Sequence, residues 1–456
     1  MKVVILVDDG ENAPPRALVR LCGVPLARRL LHTLRTVGLR EVIVVSGRAR
    51  ELVRQTLGDG RDLGMHLIYL ENEAGEDFPV RQLEELVDDR FLVIEGNYVL
   101  DERIVAELAR RDETTIAYDS QAESPQGVQV LVEGQQVVQM GHDLERSSGP
   151  YVGLALCQAE VLAAQSFQPL MGPGPLGALA RWSQCLAQVV KNHRVAALDV
   201  ATINPYVAGM RRKLRPLWFR IDTEEDLRHC REALIKGTQK RTLDLLAWHF
   251  NRPIENWVLR RIADLPITPN QMTILTNVVA YVVTFLFLSG RLLPGSLLTF
   301  AVNVMDGLDG KLARVKGMSS KLGHIEHSFD LLYEQSWYMA FAWALFARTG
   351  GLLPLALGFI ALLFDSFARH VSMQFKQVTG ISLADYAPFD RLFRRFDGRR
   401  NIYTIYILLG VILRVPLYAL MAMTSHAILT SAVYAYRAAR HLRAADQGVI
   451  PEQSTL

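Results

Sequence analysis

Two patterns of apolar positions divide the chain. Up to residue 271, short runs of β-branched residues alternate with stretches of helical spacing, and from 272 to 442 the apolar runs become long. In the first part, Val3-Val-Ile-Leu-Val7, Glu41-Val-Ile-Val-Val-Ser-Gly47 and Phe91-Leu-Val-Ile-Glu95 predict buried strands. Leu26–Val37 predicts a helix that stops before Gly38. Continuous apolar strands separated by helices imply a parallel sheet covered on both faces. Val128–Val138 predicts a hairpin turning at Glu133-Gly134, and Tyr151–Cys157 one more strand. Asp222-Thr-Glu-Glu-Asp-Leu227 opens a helix, with Asp222 or Thr223 as its cap and acids in the first turn, where the helix dipole favours them.

The second part predicts six membrane spans, at 272–288, 292–305, 331–349, 352–368, 402–422 and 424–437. Several are near the lower length limit for a hydrocarbon core of ~30 Å. The second run is short, so its helix should continue into the polar residues from Asp306 onward. Pro354 and Pro416 mark helix starts or bends, which membrane helices tolerate. An even number of spans puts both termini in the cytoplasm. Between the two parts, residues 228–265 interleave Leu243, Leu246, Trp248, Phe250, Trp257, Leu259 and Ile262 with Arg, Lys and His. That pattern suits a helix pair lying in the membrane interface, or a linker packed on the soluble domain.

Composition narrows the function. A chain of 456 residues suggests two or three domains, and a net charge of +3 is too small to imply a nucleic-acid partner. The basic clusters are local, at Arg211-Arg212-Lys213, Arg260-Arg261, Arg394-Arg395 and Arg399-Arg400, as expected beside anionic headgroups on the cytoplasmic side. Cys22, Cys157, Cys185 and Cys230 are scattered and read as reduced cytosolic thiols. Met1-Lys2 leads straight into a short strand, which is no signal peptide, so the soluble part is expected in the cytoplasm and the whole in the cytoplasmic membrane as a multi-pass protein.

The chemistry concentrates in Asp306-Gly-Leu-Asp-Gly-Lys-Leu-Ala-Arg314. Carboxylates at membrane depth are costly and usually mark a working site. Asp306 and Asp309 lie three apart and project from one helical face, while Gly310 and Ala313 keep that face thin. Glu326, Asp330 and Glu334 follow at i, i+4 and i+8, a carboxylate stripe at the start of the third span. Uncompensated, so many acids would be very unfavourable in an apolar setting, and oxygen-only ligands point to Mg²⁺, Mn²⁺ or Ca²⁺. Two hard cations beside an arginine suit a pyrophosphate, and a spare carboxylate can deprotonate an alcohol.

This segment resembles the signature of the CDP-alcohol phosphotransferase family, D-x2-D-G-x2-A-R-x8-G-x3-D-x3-D. Asp306, Asp309, Gly310, Ala313, Arg314 and Gly323 match it, and Thr268-Pro269-Asn270 resembles the family's T-P-N, which helps bind the cytidine nucleotide. Counting from Gly323, the last two acid positions fall on His327 and Leu331; Glu326 and Asp330 keep the spacing one residue early, which puts Leu322 in register instead. The resemblance then implies Asp306, Asp309, Glu326 and Asp330 on a two-metal Mg²⁺ or Mn²⁺ site, Asp330 as general base, and Thr268, Asn270, Gly310, Ala313 and Arg314 on the nucleotide. The rival register uses His327 as a ligand and leaves no base. Arg369, His370, Arg399 and Arg400 border later spans and suit an acceptor phosphate or plain positive-inside topology.

Residues 1–235 resemble a sugar-nucleotide nucleotidyltransferase, which implies a Rossmann-like mixed sheet. The matching stretches are Pro15-Arg-Ala-Leu-Val-Arg-Leu-Cys-Gly-Val-Pro-Leu26, Val37-Gly-Leu-Arg-Glu-Val-Ile-Val-Val-Ser-Gly47 and Arg220-Ile-Asp-Thr-Glu-Glu-Asp-Leu227. The family's active-site positions are altered here. The phosphate loop reads Val7-Asp-Asp-Gly-Glu-Asn-Ala-Pro14 with only Gly10 left, Arg16 replaces a lysine, and Asn97 replaces a metal-binding aspartate, while Asp222 is retained. Backbone amides cradle a triphosphate, and acids beside them oppose it. The expected domains are a degenerate nucleotidyltransferase at 1–235, an interfacial linker at 236–271, a CDP-alcohol phosphotransferase membrane domain at 272–442 and a disordered tail at 443–456. The fusion resembles the bifunctional family that joins an inositol-1-phosphate cytidylyltransferase to a di-inositol-phosphate phosphate synthase. It implies a membrane transferase, expected as a homodimer in the lipid bilayer, that moves a phosphoalcohol group from a CDP-alcohol donor, such as CDP-inositol or CDP-diacylglycerol, to an acceptor hydroxyl in phospholipid or phosphodiester synthesis. A bifunctional enzyme that also makes the CDP-alcohol, and a non-catalytic scaffold, are the alternatives.

Overall fold

The computed structural model describes residues 1–7, 15–46, 49–71, 80–122, 127–163, 178–207, 209–210, 212–240, 247–318 and 325–448. The chain divides into two compact units, 1–207 with 213–237 and 208–212 with 238–456.

Among the described residues, the first unit is built on a sheet of nine strands. Its strands are β1 (Lys2–Leu6), β2 (Glu41–Ser46), β3 (His66–Glu71), β4 (Arg90–Glu95), β5 (Thr115–Tyr118), β6 (Gln129–Glu133), β7 (Gln136–Gly141), β8 (Gly149–Gln158) and β9 (Ala196–Asp199). Their order is β3-β2-β1-β4-β8-β5-β9-β7-β6. The four strands from β3 to β4 are parallel, as their continuous apolar runs predict. The sheet as a whole is mixed, because β8 runs antiparallel to both β4 and β5. Alternate residues of each strand feed opposite faces: Val3, Ile5, Val42, Val44, Leu92 and Ile94 enter one core, and Val4, Leu6, Ile43, Val45, Phe91 and Val93 the other. Burial on both faces is why these strands carry no polar alternation.

Helix α1 (Leu26–Val37) ends as predicted at Gly38, which takes a left-handed conformation at φ +93°. The hairpin of β6 and β7 turns just after Glu133. Helix α2 (Glu224–Gly237) is capped by Thr223 rather than Asp222. The Thr223 hydroxyl accepts the Asp226 N–H at 3.1 Å, and the Asp226 carboxylate accepts the Thr223 N–H at 2.8 Å. α2 belongs to the first unit, so the expected interfacial pair at 228–265 is cut in two.

The second unit is helical. It contains α3 (Arg252–Ile262), α4 (Pro269–Leu288), α5 (Leu292–Lys316), α6 (Glu326–Thr349), α7 (Leu353–Thr379), α8 (Arg400–Ile412) and α9 (Pro416–Asp446). α5 packs on α4 and α8, α6 on α4 and α7, and α9 on α7 and α8. Its core is aromatic, with Phe287, Tyr333, Trp337, Tyr338, Phe341 and Tyr403 buried together. As expected, α5 runs unbroken from its apolar start through Asp306 to Lys316.

Two expectations need correction. The break between the last two helices lies at 413–415, not near 423, because Pro416 has no N–H to give a helix interior and opens α9 instead. Six helices lie close to the six predicted spans, but among the described residues three are long and apolar enough to cross a membrane: α4, α7 and α9. α5 and α6 carry the site's own charges, and α8 with 13 residues rises only about 20 Å.

Candidate functional site

Asp306 is the meeting point of three helices. From α5 it accepts hydrogen bonds from the Tyr333 hydroxyl of α6 at 3.1 Å and from Arg400 Nη2 of α8 at 2.5 Å. Asp330, three residues before Tyr333 on α6, lies within hydrogen-bonding reach of the same carboxylate. The structure therefore brings Asp306 and Asp330 together. Leu322 and Gly323 lie outside the described residues, as do the side chains of Glu326 and His327, so the rest of the acid register does too.

Asp309 turns a different way. It is buried against α4, where the Thr273 hydroxyl donates to its Oδ2 at 3.1 Å. Residues three apart on a helix are offset by a fraction of a turn, enough here to send the two aspartates to different neighbours. Arg314 donates from Nε to the Thr238 carbonyl at 3.1 Å and lies in the field of Asp309 and Glu255. Two motif positions with no chemistry of their own are also explained. Lys311, buried, pairs with Glu255 of α3 at 2.8 Å and donates to Asn256 at 2.7 Å. Gly307 leaves room for that carboxylate, since a Cβ there would stand 2.4 Å from Glu255 Oε1.

The carboxylate stripe predicted on α6 is split. Glu334 pairs with Arg400 Nη1 at 3.1 Å and with Arg369, which also holds Asp365 of α7 at 2.9 Å. Asp306, Arg400, Glu334, Arg369 and Asp365 thus form an alternating ladder across four helices. Arg399, next to Arg400, pairs with Asp397 at 2.8 Å and donates to the Tyr434 hydroxyl at 3.2 Å. The three arginines considered for an acceptor phosphate each have carboxylate partners, and His370 is exposed. Among the described residues, no three of His, Cys, Asp and Glu converge on one point.

At the start of α4, Thr268 is the cap. Its hydroxyl accepts the Gln271 N–H at 3.3 Å, the Gln271 side chain accepts the Thr268 N–H at 2.9 Å, and Pro269 fills the first turn. Asn270 is exposed beside it, and Gly310 and Ala313 are half-buried on α5. Tyr333, Thr273, Glu255 and Lys311 escaped the sequence reading. A tyrosine or threonine in a membrane helix is ordinary, and the Glu255–Lys311 pair spans 56 residues without a pattern.

The corresponding site of the first unit sits at the carboxyl ends of β1 and β4, where the parallel strand order reverses, a usual ligand position in such sheets. Gly10 and its loop, 8–14, lie outside the described residues, and Arg16 is exposed. Gly96 donates to the Leu6 carbonyl at 2.8 Å, so close that a Cβ would stand 2.7 Å from that oxygen. Asn97 follows. Its backbone carbonyl accepts the Ile221 N–H at 2.9 Å, and its side chain donates to Asp222 at 2.9 Å. Arg220 pairs with the other oxygen of Asp222 at 2.7 Å. Burial, reinforced by Glu95, pushes the neighbouring Tyr98 hydroxyl up, so it stays protonated. The four cysteines are buried and form no disulfide among the described residues.

The family profile described as CDP-alcohol phosphatidyltransferase matches residues 266–368. A protein of Rubrobacter xylanophilus named "Bifunctional IPC transferase and DIPP synthase" is 26% identical over 90% of this chain and 89% of its own length. A protein of the same name from Archaeoglobus fulgidus is 26% identical over 72% of this chain and 63% of its own. Among solved structures, an inositol-1-phosphate CTP transferase from T. maritima is similar over 49% of this chain and 90% of its own, with 17% identity and a TM-score of 0.39.

Proposed function

We propose that this chain, which joins a CDP-alcohol phosphotransferase region to a nucleotidyltransferase-like unit, is a membrane transferase that moves a phosphoalcohol group from a CDP-alcohol to an acceptor hydroxyl and releases CMP. The observation that carries this is the acid cluster of α5 and α6, with Asp306 bonded by Tyr333 of α6 and Arg400 of α8 and Asp330 beside it. Two carboxylates so close in an apolar bundle require a proton or cation between them, and their oxygen-only donors fit a hard divalent ion. Asp306 and Asp330 are the residues that would hold Mg²⁺ or Mn²⁺, and the motif's resemblance adds Glu326 and Asp309, which bonds Thr273 in this structure. When bound, such an ion neutralises pyrophosphate charge.

The protein's own residues do the rest. Thr268, Asn270, Gly310, Ala313 and Arg314 line the nucleotide side. Asp330 takes the proton of the acceptor hydroxyl as its oxygen attacks the β-phosphorus, and the bond from that phosphorus to CMP breaks. Arg369 and Arg399 are committed to Glu334, Asp365 and Asp397, which supports a bundle-holding role for them over capture of an acceptor phosphate. Trp248, Phe250 and Trp257 are exposed around α3, with Arg252 and Arg261 over two of the rings, which supports an interfacial position for this segment.

The test is CMP release by purified full-length protein offered CDP-inositol, CDP-diacylglycerol and related donors with Mg²⁺. Asp309→Ala and Asp330→Ala should each cut the rate by roughly a thousandfold. Absence of CMP release with every donor would favour a scaffold.

The first unit admits two readings. Asn97 carries no charge and Asp222 is already held by Arg220, which supports a unit that no longer transfers cytidylyl groups. The names of the relatives from Rubrobacter xylanophilus and Archaeoglobus fulgidus support a bifunctional enzyme. Pyrophosphate release from CTP and an alcohol phosphate by full-length Asp306→Ala, whose membrane site is disabled, separates them: turnover establishes the bifunctional enzyme.

A further inference from the structure

Arg400 occupies the place where the acidic pair needs positive charge. Its guanidinium bonds Asp306 at 2.5 Å, with Asp330 on the same carboxylate. It has a second dock, because Nη1 already reaches Glu334 at 3.1 Å. The Tyr333 hydroxyl lies between, donating to Asp306 and accepting from Arg400. A divalent cation held by Asp306 and Asp330 and a guanidinium on the same Asp306 carboxylate repel each other, so the two cannot both have full strength there. Glu334 lets Arg400 withdraw without being stranded as an unpaired buried charge.

We infer that Arg400 is a resident counter-ion of the acid site: it neutralises Asp306 while the site is empty and yields to the divalent cation, moving its weight to Glu334. Arg400 is a positioning residue here, acting through Asp306. A buried acidic site without such a partner would carry uncompensated charge in the bilayer between turnovers. This inference rests on the metal site proposed above.

The experiment measures Mn²⁺ binding by electron paramagnetic resonance on the full-length protein without nucleotide. Removing the competitor should tighten binding, so Arg400→Gln is expected to bind Mn²⁺ roughly tenfold more tightly than the unaltered chain, a shift within the range of coupling between close buried charges. Arg399→Gln removes the same charge one residue away, from a group paired with Asp397, and should change the affinity less than about twofold. If Arg400→Gln does not fold, Arg400→Gln/Glu334→Gln removes both members of the ladder step without a net change in charge and should show the same tightening. Unchanged or weaker binding in the folded Arg400 variant, or equal tightening in Arg399→Gln, overturns the inference. Asp306→Asn tells the two failures apart. If it keeps the original Mn²⁺ affinity, the metal site itself fails; if it loses binding while the Arg400 variant is no tighter, only the role of Arg400 fails.

Discussion

Tyr333 ties the acid pair to the arginine ladder, since its one hydroxyl touches both Asp306 and Arg400. A hydrogen bond to a charged group contributes about 1.5–3 kcal/mol. Tyr333→Phe should therefore lower kcat for CMP release by about tenfold or more, with the fold retained because the ring still packs on Trp337 at 5.1 Å between centroids. An unchanged kcat would mean that the hydroxyl orients nothing. At this scale the sequence was half legible. Asp306, Asp309 and Arg314 stand out because charge in an apolar run is anomalous. Glu334 stands out equally and reads as a fourth acid of the stripe, yet it is claimed by arginines from two other helices that no local spacing could reveal.

Among the elements, α3 and α5 meet through one small residue. Gly307 admits the Glu255 carboxylate that pairs with Lys311. Gly307→Val would force α3 away and should cost about 1–3 kcal/mol, seen as a lower unfolding temperature, together with weaker CMP release because α5 carries the motif. In the first unit, α1 buries His32, and its imidazole is pushed down to about 4 by burial and by Arg35, Arg28 and Arg29. The neutral form fits the fold, so its contribution is complete above the unfolded value of 6.5 and is lost as the pH falls through 4. Stability of the first unit should thus decline between those pH values by about 1.4 kcal/mol per pH unit, and His32→Leu should flatten that slope in chemical denaturation followed by tryptophan fluorescence. A slope identical in the variant removes His32 as its source. Strands β1, β2, β4 and β8 were legible because each is a long apolar run; β5, with four residues, and β9 were not, because so short a run has no period to detect.

For the whole molecule, the chain divides into two units with separate cores. Asn97→Asp in full-length Asp306→Ala restores a carboxylate beside Asp222. If Asn97 is what limits the first unit, pyrophosphate release from CTP should rise at least several-fold; no rise removes Asn97 as the sole limit. The membrane topology was only partly readable. Apolar length alone marks α4, α7 and α9 as long enough to cross a membrane, whereas α5 and α6 interrupt their apolar runs with charged and polar side chains such as Asp306, Asp309, Glu334 and Gln335.

By itself the sequence determined the two-part organisation, the strands and helices with long periods, and the motif helix, because hydrophobic period and misplaced charge are local properties of the chain. The tertiary structure alone decided that Asp309 faces Thr273 and that Arg400 stands between Asp306 and Glu334. Those pairings join residues up to 94 positions apart on different helices. They arise from helix rotation and crossing, which packing sets and spacing along one chain does not encode.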